Sequence, residues 1–150
     1  RNDTVASVDI QGLTIQDIVK SVDVSESVVI GPGEHAVLAV GDGSGWSYDF
    51  TPDAFYGSLA LTNGSEKLTL FAGDVFINET PEFGTAATGV SVSLDDGTSG
   101  ADSNQIANWC EATSEFGSLG DFGTPGSGAY CASGDTGGLA DTGFFGDSGL

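Results

Sequence analysis

Three short patterns near the C-terminus carry the residue types of hydrolytic chemistry. Asp135-Thr136-Gly137 and Asp141-Thr142-Gly143 repeat the Asp-Thr-Gly triplet, in which two facing carboxylates share a proton and activate water. Gly146-Asp147-Ser148-Gly149 has the residue order of a serine-nucleophile loop. Neither pattern has the surroundings its mechanism requires. The two aspartates stand six residues apart in one Gly-rich run, whereas the paired-carboxylate mechanism brings such loops together from separate lobes or subunits. The serine needs a histidine base oriented by an acid. The single histidine, His35, follows Gly33-Glu34 at the start of an expected strand, and chain order identifies no orienting aspartate. One histidine and two cysteines also leave no zinc-ligand spacing. These patterns predict a protein that is not an enzyme.

Two other sets of residues offer milder chemistry. Asp95, Asp96 and Asp102, with Ser99, Ser103 and Asn104, put hard oxygen donors into one loop, and Asp42, Ser44 and Asp49 form a thinner second set. Calcium takes about six to eight oxygens, backbone carbonyls included, which Gly-rich loops present readily. The spacing fits no EF-hand, and Asp, Gly and Ser also compose ordinary turns. Asp95, Asp96 and Asp102 therefore stand as a candidate calcium site, and no other cofactor is indicated. Cys110 and Cys131 form an even pair in a turn-rich chain, which reads as one disulfide in an oxidising compartment; two reduced thiols are the alternative. Asn2, Asn63 and Asn78 each begin an Asn-x-Ser/Thr sequon, the acceptor pattern for N-glycosylation on extracellular turns.

The chain that must position these groups is strongly acidic. Arg1, Lys20 and Lys67 are the only basic residues against 22 acids, for a formal charge of −19. Such a surface repels phosphates and anionic headgroups, which excludes nucleic acid as a partner. A solvated acidic face is the plain reading; salty surroundings or bound divalent cations are the alternative. No stretch approaches the roughly 20 apolar residues of a membrane span, so no membrane insertion is expected. At 150 residues, 39% of them hydrophobic, the chain fits one domain with a core of its own. It opens on Arg1-Asn2-Asp3 without a signal-peptide pattern, so a secreted origin implies a mature or trimmed form.

Short apolar or alternating runs recur at residues 5–10, 13–15, 28–30, 36–40, 58–61, 68–71, 75–77 and 90–94, each bounded by Gly, Asn, Asp, Ser or Pro. Many short strands between frequent turn signals predict an all-β sandwich or barrel. Leu68 and Leu70 alternate with Val75 and Ile77 across Ala72-Gly73-Asp74, a hairpin signature. Gly31-Pro32-Gly33 is a turn ahead of a strand, since Pro fixes φ and Gly supplies positive φ. Ile15, Ile18, Val19 and Val22 fall at helical spacing, yet the segment lacks a cap and is rich in β-branched residues, so strand and loop are expected. Residues 103–112 suit one helical turn, with Ile106, Trp109 and Cys110 on one face. Trp46, Tyr48, Phe50, Phe55 and Tyr56 crowd a loop-like stretch, either a lid over one end of the core or a binding surface. Residues 132–150 are a Gly/Asp-rich tail with Phe144-Phe145 as its only large apolar pair, expected to dock on its own domain or on a neighbouring subunit.

The order of these segments resembles the lamin-tail domain of secreted bacterial proteins. The resemblance is carried by Val8-Asp9-Ile10-Gln11-Gly12-Leu13-Thr14-Ile15, by Pro32-Gly33-Glu34-His35-Ala36-Val37-Leu38-Ala39, and by Leu61-Thr62-Asn63-Gly64 with Lys67-Leu68-Thr69-Leu70. Residues 91–95, Asn108-Trp109-Cys110 and Gly123-Thr124-Pro125-Gly126 look like its closing elements, and the likeness runs from residue 1 to about 128. It implies an immunoglobulin-like β-sandwich over residues 1–131 that carries no chemistry of its own. Two departures stand out. Gly128 replaces a common Asn, and Arg1-Asn2 matches only the end of the pattern's second strand. Either the pattern starts upstream of Arg1, or another chain fills the place of the absent strands by complementation. The second possibility leads to a non-enzymatic structural module, a filament or surface-layer subunit outside the cell whose partners are copies of itself. The alternative is a recognition module of a larger secreted protein that binds glycan, cation or protein.

Overall fold

The computed structural model describes residues 1–59, 61, 64–84, 87–117, 120–129 and 131. The tail at 132–150, with its Asp-Thr-Gly and Gly-Asp-Ser-Gly patterns, and Asn63 lie outside the described residues. In chain order the strands are β1 (Val8–Asp9), β2 (Leu13–Gln16), β3 (Ser21–Asp23), β4 (Val29–Ile30), β5 (Leu38–Val40) and β6 (Ala54–Tyr56). There follow β7 (Thr69–Ala72), β8 (Val75–Glu79), β9 (Val92–Leu94), β10 (Trp109–Glu111), β11 (Glu115–Phe116) and β12 (Asp121–Phe122). The chain is all-β; two 3₁₀ turns, Gly100–Asp102 and Ile106–Asn108, are the helical elements among the described residues.

The largest sheet has the antiparallel order β3-β2-β7-β8; β1-β4, β9-β10 and β11-β12 are antiparallel pairs, and β5-β6 is a parallel one. Ile15 of β2 lies opposite Val22 of β3 on one side and Leu70 of β7 on the other. The helical spacing of Ile15, Ile18, Val19 and Val22 is thus folded as a hairpin. Its turn is set by Asp17, whose Oδ1 accepts from the N–H groups of Val19 and Lys20, a local bond that competes with helix. Ile18 and Val19 are exposed at its tip. The β7–β8 hairpin turns where expected, with Gly73 at φ 58°, and the Pro32 turn closes with Glu34 N–H on the Gly31 carbonyl and Gly33 at φ 76°.

Three expectations are corrected. Leu59 is buried without belonging to a strand; the strand there is β6, in the stretch taken for an aromatic loop. The helical turn expected within residues 103–112 forms as the 3₁₀ turn Ile106–Asn108, but Trp109 and Cys110 stand in β10, because pairing with Leu94 and Ser93 of β9 takes precedence over the local spacing. The strand pairs β3 and β11–β12 are too short to show a period of two. The core is thin. Val28, Ile30 and Ala54 form its buried cluster, with Ile10, Ala36 and Leu38 packed around it. Cys110 and Cys131 form the expected disulfide, Cα atoms 5.7 Å apart, and fasten the end of the described chain to β10.

Candidate functional site

Between the four-stranded sheet and the β9–β10 pair lies an open groove of about 530 Å³. Leu70 of β7 and Leu68 just before it line one side, Val92 and Leu94 of β9 the other, and Trp109 and Phe116 add aromatic surface. Trp109 is fixed in place: its Nε1–H donates to the Ser103 carbonyl at 2.7 Å and its ring meets Phe83 edge-on at 4.8 Å. The segment after β11 flanks β9, and its backbone hydrogen bonds to that strand's flanks fall at the two ends; Cys131 Sγ also lies 3.9 Å from the Ser93 carbonyl. Ser91 N–H donates to the Phe122 carbonyl at 2.9 Å, and Asp96 N–H to the Ala129 carbonyl at 2.6 Å. Between these points the chain bows outward through Gly123-Thr124-Pro125-Gly126, closed by Ser127 N–H on the Thr124 carbonyl. Among the described residues, no backbone hydrogen bond joins residues 123–128 to Val92–Leu94. Across the groove, β8 is an edge strand with Val75, Phe76 and Ile77 at 62%, 53% and 50% exposure.

The mouth of the groove is polar and acidic. Arg1 is its clamp: Nη1 donates to Asp96 Oδ1 at 2.6 Å, Nη2 to the Thr98 carbonyl at 2.9 Å, and Nε to Asp3. Asp3 in turn accepts from Gly100 N–H at 3.0 Å. His35 lies at the edge of an ion-pair distance from Asp96, and burial holds its pKa below the ordinary value. The hydrogen bond from Arg1 holds the Asp3 carboxyl below its ordinary pKa of 3.8. A depressed carboxyl contributes stability above the unfolded pKa and loses it as pH falls through the folded value. Asp3→Asn should therefore melt below the parent at pH 7, and the gap should narrow as the pH is taken progressively below the ordinary carboxyl value of 3.8. A gap that persists in acid would show that the carboxylate charge is not what Asp3 contributes.

The candidate calcium ligands do not converge. Arg1 occupies the Asp96 carboxylate, Asp95 Oδ1 faces Gly97 N–H, and Asp102 Oδ1 faces Gln105 Nε2. Among the described residues no group of three or more His, Cys, Asp or Glu side chains could hold a metal ion. A guanidinium already sits where the cation was expected, and Asp42 is spent on a turn through Ser44 N–H. The disulfide is the one site-level expectation realised as a bond.

The described sequon asparagines are structural. Asn2 is buried; its Nδ2, the atom a glycan would take, donates to the Ala6 and Ile30 carbonyls at 2.8 and 2.9 Å, while Oδ1 accepts from Thr4. Asn78 Nδ2 donates to the Gly100 carbonyl, and its Oδ1 accepts from Ser103. Neither folded position leaves the amide free for a sugar. Asn2→Asp keeps the shape but turns a donor into an acceptor against two carbonyls, which should cost roughly 2 kcal/mol or more in denaturant unfolding. Equal stability would contradict the role given to Asn2. Trp46, Phe50, Tyr48 and Phe116 pack ring on ring, Trp46 Nε1–H donates to the Phe50 carbonyl, and Tyr48 Oη donates to Asp121, so these rings hold one another in a single aromatic cluster.

The sequence alone did not reveal the groove, the Arg1 clamp or the Asn2 hub. The available signals were that Arg1 is the only arginine and that Asn2 is followed two residues later by a threonine. Comparison with protein-family models, with curated proteins and with solved structures gives no match.

Proposed function

We propose that this chain is a non-enzymatic structural module of an extracellular assembly, an immunoglobulin-like β-sandwich of the lamin-tail kind joined to its neighbours by strand complementation into a filament or surface layer. The observation that carries the reading is the groove, whose apolar floor lies beside a β9 edge that residues 123–128 leave unpaired. A strand entering there gains backbone hydrogen bonds from β9 and buries alternate side chains on Leu68, Leu70 and Trp109. The exposed apolar edge of β8 adds a second surface of the kind that monomeric sheets usually cover. The disulfide and the acidic surface suit an oxidising, aqueous setting outside the cell.

Electron microscopy and native mass measurement of the full chain, alone and with strand-forming peptides, test the reading. Assemblies or strand-loaded complexes are expected. A chain that stays monomeric at every concentration and salt level, and takes up no peptide, would contradict it.

A further inference from the structure

We propose that the groove beside β9 takes an extended segment of a different protein, one that alternates apolar with basic side chains. This rests on the strand-acceptor reading above and names the chemistry of the donor. A strand sends alternate side chains to opposite faces, so one set would meet Leu68, Leu70 and Trp109 while the other would emerge at the mouth. Asp3, Glu79, Asp95 and Asp96 line that mouth. The cations near them are already engaged: Arg1 on Asp3, Asp96 and the Thr98 carbonyl, and Lys67 Nζ on Glu79 at 2.6 Å. Asp95 makes no ion pair among the described residues. Apolar positions therefore belong inside the groove and positive charge at its rim. The whole-chain charge of −19 points the same way, since it draws basic segments in and drives acidic ones off.

The test is a titration of the full chain, at low ionic strength, with dye-labelled nine-residue peptides that alternate valine with lysine, serine or glutamate. The Val/Lys peptide should bind about tenfold tighter than Val/Ser, and Val/Glu should not bind. That advantage should shrink on raising salt from about 0.05 to 0.5 M, as the Debye length falls to a few ångströms. Asp95→Asn should weaken Val/Lys about threefold, in the range of exposed ion pairs, and leave Val/Ser unchanged. Leu70→Trp, which fills the groove, should abolish uptake of every peptide; Ser127→Trp on the outer wall serves the same purpose if the first variant does not fold. Equal affinity for all three peptides overturns the basic donor and leaves the strand-acceptor reading standing. Val/Lys binding that survives both groove-filling variants is surface adsorption and overturns the proposal. Self-association with no peptide uptake makes a second copy the occupant and overturns it too, whereas a monomer that takes up nothing overturns both readings.

Discussion

Replacing Cys110 and Cys131 together with alanine should lower stability by about 3 kcal/mol, the chain-entropy value for a cross-link spanning 21 residues. For a domain of this size that corresponds to a fall in Tm on the order of 10 °C. The effect should be large here because the core it supplements is small. The buried cluster consists of one valine, one isoleucine and one alanine, and much large apolar surface stays at the exterior, including Val19 at 84% and Val29 at 64%. A thin core and a disulfide occur together for the same reason: constraining the unfolded chain compensates for apolar burial that the folded chain does not achieve. Reduced parent protein should melt with the double variant, which separates the cross-link from the loss of two sulfur atoms. An unchanged Tm after reduction would show that the chain does not depend on the bond.

Leu59→Ala should cost about 3 kcal/mol, within the span seen for leucine truncation in cores. Leu59 is 1% exposed and is the largest fully buried side chain among the described residues. It lies outside any strand, so nothing in a hydrogen-bonded ladder holds its position, and its removal should leave a cavity that short neighbouring strands collapse into only in part. Denaturant unfolding measures the difference. A cost below about 1 kcal/mol would mean that the site refills, and that the core is looser than the burial of Leu59 implies. The expected order is informative as well: both changes should exceed Asn2→Asp only if burial and cross-linking outweigh the local hydrogen-bond hub.

The all-β class was legible because its signals are local. Gly31-Pro32-Gly33 and Gly73-Asp74 dictate turns through allowed φ alone, and both turns form as read. The disulfide was legible because two cysteines permit one pairing. Less legible were features that depend on distant partners. Trp109 and Cys110 have local helical spacing, but β9 captures them from some 15 residues away in sequence. Composition likewise cannot show that Arg1, 95 residues away in sequence, reaches the Asp96 carboxylate. The burial of Asn2 was hidden too, because a sequon says nothing of the Ile30 and Ala6 carbonyls that hold its amide. The groove was the least legible feature. It exists because residues 123–128 turn away from β9 between two anchors, a property of no residue taken singly.

Amide hydrogen exchange of β9 tests strand uptake most directly. Val92 and Leu94, whose N–H groups point away from β10, should exchange at least tenfold more slowly once the groove is loaded, by a neighbouring subunit in an assembly or by the Val/Lys peptide in solution, because new backbone bonds close that edge. The amides of the β1–β4 pair, which does not line the groove, should serve as the unchanged reference. Slowing that appears along β8 or the aromatic cluster of Trp46, Tyr48 and Phe50 while β9 stays as it was would contradict strand complementation at this site.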